Sequence, residues 1–437
     1  MNRRQFLKTS TGIVIMTNGC SQRDGDPLFE ERAFDFQPLD PGGAVVPISK
    51  VTPDDGFYVH TYYDVCPFSP SGRYLAVTRL PYQDRIPVLG DTADVCVIDL
   101  SEQSIRTVYT TQSWGFQTGA NVHWGATDDH LYTNDLVGGR AVCIGIDLTN
   151  GKTRDYVNAM YSIAPDESAV IAFPFELLDV TQRGYGVPAA DPDHPKKLPV
   201  GASATEGIWK TDLRTNQSRL LLSLAQAAAL VPEAAPEEDG TYYFWHTKFS
   251  RQGNRIMQVM RCLLPSGWGG RNAMVLTLDS DGSNLNFMPQ VPVWGADGGH
   301  PNWHPDGEHL IRVLKMDGET PRLCRFRADG TDLRVLSEKI LGGGHPTFEG
   351  EGRFIVTDNF HGSNPQLVDI QLIDMREETV EILTTMATLN RADELDYQPH
   401  RLDGHPAWSR DYKTVCFQAA PDGTRQLYLA DVSQLVG

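Results

Sequence analysis

The sequence predicts an all-β protein: a seven-bladed β-propeller of four-stranded antiparallel blades. Three observations predict it. One short segment recurs seven times along the 437 residues, strand-like runs follow every copy, and 40 Gly and 28 Pro supply the turns. The copies are "VCPFSPSGRYL" from Val65, "NVHWGATDDHL" from Asn121, "MYSIAPDESAV" from Met160 and "HTKFSRQGNRI" from His246. "HPNWHPDGEHL" from His300, "HPTFEGEGRFI" from His345 and "HPAWSRDYKTV" from His405 complete the set.

Each copy carries a bulky residue at its fourth place, then a turn rich in Pro, Asp and Gly, then an alternating apolar strand. Pro presets φ and Gly accepts φ > 0, as a tight hairpin needs. Further strands follow, such as "DVCVIDL", "AVCIGIDL", "RLCRFRADG" and "RQLYLADV". The propeller is expected over 40–435. The longest gap between copies leaves room for insertions near 180–206 and 224–240, where "LAQAAALVPEAAPEED" reads as a short helix and an acidic loop. Two separate β-domains are the alternative, but no Pro/Ser/Gly-rich linker divides the repeats.

Composition limits the function classes. Lys+Arg 38 against Asp+Glu 56 gives a net charge of −18, which argues against nucleic-acid binding by charge. No run of about 20 apolar residues exists to span a bilayer. The seven Cys form no C-x-x-C pair, and Cys96, Cys143, Cys324 and Cys416 read as buried strand residues. Residues 1–30 read as an export signal: Arg3 and Arg4 before "QFLK" resemble a twin-arginine signal, and Cys20 after Gly19 resembles a lipoprotein attachment site. A periplasmic or cell-surface monomer, lipid-anchored if Cys20 is used, is the expectation. A cytoplasmic protein with a chance Arg pair is the alternative.

His246, His300, His345 and His405 all open their segments. Equivalent places of inner strands surround a propeller's channel, so four imidazoles should converge near the axis. A divalent metal site, Zn or Mn, is one reading; histidines that cap the strand mouths by hydrogen bonds are the other. Asn121 holds the equivalent place in the second copy. His123, two residues on, shares its channel-facing side by strand periodicity. Tyr185 in "TQRGYGVP" sits between Gly184 and Gly186 on an inserted loop. The remaining histidines have no repeat support.

The repeat resembles the TolB-type propeller blade. Together, "YYDVCPFSPSGRYLAV", "WGFQTGANVHWG", "RGYG", "FWHTKFSRQGNRI" and "DGHPAWSRD" resemble the seven-bladed polysaccharide lyases, above all the ulvan lyases. The last blade is also similar to that of oligogalacturonate lyases. The resemblance implies β-elimination on an anionic uronate polysaccharide, with His123 and Tyr185 as the proton-transfer pair. Arg261, and less strongly Arg79 and Arg183, are candidate partners of the uronate carboxylate, with Asn121 beside them. A non-catalytic exported propeller that binds carbohydrate or a protein partner is the alternative. A propeller-fronted serine peptidase is argued against by the missing G-x-S-x-G, and nucleotide chemistry by the missing glycine-rich fingerprints.

Overall fold

The computed structural model describes residues 28–182, 184–188, 199–230, 240–265, 273–288, 300–361, 364–390 and 401–437. They form seven antiparallel sheets, five of four strands and two of five. The seven segments supply the inner strands in one register. Each fourth-place residue pairs with the residue seven positions later, from Phe68 with Leu75 through Trp124 with Leu131 and Trp303 with Leu310 to Trp408 with Val415. The hairpin turn between them is left-handed at the eighth place in six copies: Gly72, Glu167, Gly253, Gly307, Gly352 and Tyr412.

The fourth-place tryptophans join neighbouring blades. The indole of Trp124 donates to the Pro67 carbonyl (2.8 Å), that of Trp303 to Lys248 (3.2 Å) and that of Trp408 to Thr347 (3.0 Å). Every acceptor is the third-place residue of an earlier blade, so the bond repeats because the segment repeats. Apolar side chains fill the space between sheets: Val356, Ile370 and Leu383 of the sixth meet Trp408, Phe417 and Tyr428 of the seventh. Cys96, Cys143, Cys324 and Cys416 are buried and free, as expected.

The ring closes through the N-terminal part of the chain. Ile48–Lys50 pairs with the last strand, Gln426–Asp431, and Gln37–Leu39 adds a fifth strand outside it. Glu31–Ala33 adds a fifth strand to the first blade. The propeller therefore begins before residue 40, and two blades exceed the expected four strands. Leu224–Ala228 forms the expected short helix, started by a Ser223–Gln226 capping box. Arg3, Arg4, Cys20 and Arg183 lie outside the described residues, and with them the export and lipidation readings.

Candidate metal centre and channel

The four segment-opening histidines do converge. Ring centroids of His300 and His345 lie 3.9 Å apart, those of His345 and His405 4.4 Å, and those of His246 and His300 6.1 Å. The backbone explains part of the choice of residue. Asn121, His246, His300 and His405 have φ of 54°, 57°, 55° and 43°. Asn and His are among the few residues with side chains that tolerate this region. At His345 the preceding Gly344 takes the left-handed turn instead, with φ 57°.

Backbone tolerance does not explain the rings' bonding. Each Nδ1 has a partner: the Tyr161 hydroxyl for His246 (3.0 Å), the Gly344 carbonyl for His300 (2.9 Å), and Asp358 for His345 (2.8 Å). His405 Nδ1 lies 3.2 Å from the Gln418 amide, and turning that amide presents its otherwise unpaired Oε1 as acceptor. The Nε2 atoms of His246, His345 and His405 are buried without a partner. Imidazoles oriented through one nitrogen and open at the other are the arrangement metal-binding histidines use. Burial holds the His246, His300 and His405 imidazoles well below their ordinary value, so they are neutral and able to ligate.

The tightest donor group is His345, His405 and Asp403, whose ligand atoms lie within 4.8 Å of one another. Asp403 is a member the repeat does not reveal. Its Oδ2 sits 2.9 Å from Arg401 Nη2 in an ion pair, yet receives no hydrogen bond. Behind the group, buried Asp358 accepts the backbone N–H of His345 (2.9 Å) and of His405 (3.0 Å). Burial would raise its carboxyl, but His345 and these hydrogen bonds outweigh that and hold it below the usual range.

A loop of the first blade plugs the channel. Tyr62 stacks on His246 (5.6 Å) and meets His405 edge-on (4.5 Å), while Tyr63 lies 5.1 Å from His345. Four blades hold the loop. His60 Nε2 donates to the His405 carbonyl (2.8 Å), Thr61 to that of Val122 (2.7 Å), and Thr347 to that of Tyr63 (3.2 Å). Lys248 bonds the Tyr63 hydroxyl (3.1 Å) and makes a buried ion pair with Asp64 (2.5 Å). His60 had no repeat support, yet it is fully buried in this anchor.

Tyr185 lies on the metal side of the plug, edge-on to Trp245 (4.5 Å) and Tyr62 (6.0 Å). Its hydroxyl accepts from Arg401 Nη2 (2.8 Å). The two most specific sequence motifs touch here. A Cβ on Gly115 would sit 2.8 Å from the carbonyl oxygens of both Gly184 and Gly186, and the Gln117 N–H donates to Gly184 (2.9 Å). "WGFQTG" is thus the bed on which the Tyr185 loop rests. Arg261 belongs to the same side: its Nη1 donates to Gln182 (3.2 Å), and its charge acts on His246, His300 and Tyr161.

The other expected residues are elsewhere. His123 lines a cavity of about 470 Å3 at the hairpin end of the inner strands, together with Tyr63, Asp64 and Lys248. Tyr185 does not line it, so the expected proton-transfer pair is not brought into one pocket. Arg79 is engaged by Asp94 (2.7 Å) and Asp55 (3.5 Å) in the first blade. Asn121 donates to the Met160 carbonyl (2.7 Å) and ties the second blade to the third.

No protein-family model matches the chain. A stretch of 217 residues is 25% identical to the tRNA 5-methylaminomethyl-2-thiouridine biosynthesis bifunctional protein MnmC of Thiobacillus denitrificans. It covers 48% of this chain and only 33% of that protein, and shows no family. The solved structures are more informative. An oligogalacturonate lyase in complex with manganese superposes with a TM-score of 0.66 at 17% identity, over 92% of this chain and 97% of its own. In fold, this chain is similar to oligogalacturonate lyase. A second such lyase, from Vibrio parahaemolyticus, gives 0.64 at 12% identity, over 94% and 100%. Identities this low show the architecture alone, and the ulvan-lyase resemblance of the sequence is not part of what they show.

Proposed function

We propose that the protein is a metal-assisted lyase that cleaves a uronate-containing saccharide by β-elimination. The observation that carries this reading is the set of Nδ1-anchored, Nε2-open imidazoles beside Asp403, flanked by Tyr185, Arg401 and Arg261. The fold it shares with an oligogalacturonate lyase in complex with manganese supports it. The proton beside a uronate carboxylate is weakly acidic, so its removal requires that the developing enolate be neutralised. A divalent cation, Zn or Mn, held by His345, His405 and Asp403 would supply Lewis-acid neutralisation of that carboxylate.

The chain's own groups do the rest. Arg261, on the fourth blade, meets the substrate carboxylate. The neutral His246 ring, open at Nε2, takes the proton beside the carboxylate, and the C–H electron pair becomes the new double bond as the glycosidic C–O bond breaks; Arg401 donates to the Tyr185 hydroxyl, whose own proton passes to the leaving oxygen. His123, facing the other cavity, takes no part in this transfer. A net charge of −18 repels a polyanion, and Arg261 gives the metal side a local countercharge. The sequence motifs favour a sulfated ulvan-like polymer and the fold neighbours favour oligogalacturonate; export and a monomeric state complete the proposal.

The test is absorbance of unsaturated uronate product from ulvan, oligogalacturonate, alginate and glycosaminoglycans, before and after chelation and manganese or zinc reloading. Metal-dependent product from at least one polymer is expected. No product from any of them overturns the reading.

A further inference from the structure

The cavity on the other side of the tyrosine plug has no part in the proposed elimination, yet it is built for a ligand. Its volume of about 470 Å3 falls in the range of small-molecule sites, roughly 300–1,000 Å3. His123 and Asp64, which line it, each keep one buried atom without a partner, Nε2 and Oδ1. Burial pushes the His123 imidazole down to about 4, so the ring is neutral at neutral pH and one of its nitrogens is an acceptor. Buried acceptors left unpaired cost about 1–3 kcal/mol each, and groups that donate hydrogen bonds to them relieve that cost.

The rim has the opposite character. Arg251 and Arg410 are exposed there, and among the described residues neither has a carboxylate within ion-pair distance. Arg251 donates to the Phe348 carbonyl (2.8 Å) and the Tyr412 hydroxyl (3.2 Å), and Arg410 to the Phe68 carbonyl (3.1 Å). All these acceptors are neutral, so both charges stay uncompensated in a chain of net charge −18. Trp408 lines the wall.

From these features we infer a second binding site, at the opposite channel mouth from the metal centre, for a small hydroxylated carboxylate of the sugar-acid class. Its hydroxyl groups donate to His123 and Asp64 on the floor, and its carboxylate meets Arg251 and Arg410 at the rim. Bidentate guanidinium–carboxylate geometry gives the rim its selectivity for the acid over the neutral sugar. The site is one of binding, not of bond cleavage, and requires no elimination chemistry on the metal side.

The probe is D-galacturonate, with D-galactose as the neutral control, followed by tryptophan fluorescence and calorimetry on the full chain. Saturable galacturonate binding is expected, at least tenfold tighter than galactose. Arg410→Met and Arg251→Met should each weaken it tenfold or more. Both side chains are exposed, so folding is not at stake. Chelation of metal and Tyr185→Phe should leave the affinity unchanged, which separates this site from the metal side. Absence of saturable binding, equal binding of the neutral sugar, indifference to both arginine substitutions, or loss on chelation each overturns the inference.

Discussion

Asp358→Asn isolates the carboxylate behind the candidate metal centre. Three donors converge on its two oxygens: the His345 N–H and Nδ1–H at Oδ1, and the His405 N–H at Oδ2. Asparagine has the same shape but only one acceptor oxygen. If that oxygen serves His345, the new NH2 group faces the His405 N–H, donor against donor. Two buried donors then lack acceptors, at about 1–3 kcal/mol each, so a loss of about 2–6 kcal/mol in stability is expected. His345 and His405 are both in the donor set, so metal affinity should fall about 10–100-fold. Denaturant unfolding of chelated protein reads the first effect, and titration with manganese or zinc reads the second. A variant with wild-type stability and wild-type metal affinity would refute the role given to Asp358.

Further outcomes follow from the same geometry. Tyr185→Phe should lower turnover on the best uronate substrate by about 10²–10⁴, whereas His123→Ala should leave it within about tenfold; equal losses would restore the pair read from sequence. Burial holds His60 and His123 at about 4 in the folded chain against 6.5 in the free imidazole, so the unfolded chain binds more protons between these values. Their contribution is complete above about pH 6.5 and is lost as pH falls towards 4, by about 3 kcal/mol each, and His246, His300 and His405 act in the same sense. An unfolding free energy that is flat from pH 7 to 4 would contradict this. Trp124→Phe removes the indole donor to Pro67 between the first two blades and should cost about 1–3 kcal/mol, read by urea unfolding.

The blades were legible because each depends on a local pattern that repeats. A bulky fourth residue, a turn that accepts left-handed backbone and an alternating strand occupy fixed offsets, and the structure returns the same seven-residue pairing offset in every copy. Ring closure was not legible. Gln37–Leu39 and Ile48–Lys50 carry no repeat signature, and pairing Ile48–Lys50 with Gln426–Asp431 joins residues from opposite ends of the chain. Edge strands that add from outside need only backbone groups, so their side chains leave little trace.

The site was legible only where it also repeats. A histidine at a segment's first place answers two demands at once, a left-handed backbone and an open Nε2, and sequence cannot separate them. Asn121 meets the first demand alone: its side chain donates to Met160 and offers no ligand. His345 meets the second alone, because Gly344 carries the left-handed turn. The groups that turn a ring of histidines into a candidate metal centre are Asp358, Asp403 and Gln418, and all three lie outside the repeated segments that drew attention to the histidines. The Tyr62–Tyr63 plug is likewise unique, and it stands between His123 and Tyr185, the pair that the family resemblance implied. Periodicity correctly turned that side chain towards the channel. It carried no information about a loop, anchored by Lys248, Thr347 and His60, that divides the channel into two compartments. Facing the axis is therefore not the same as facing the metal, and Tyr185, reached through a docked loop rather than an inner strand, lies with Arg261 on the metal side.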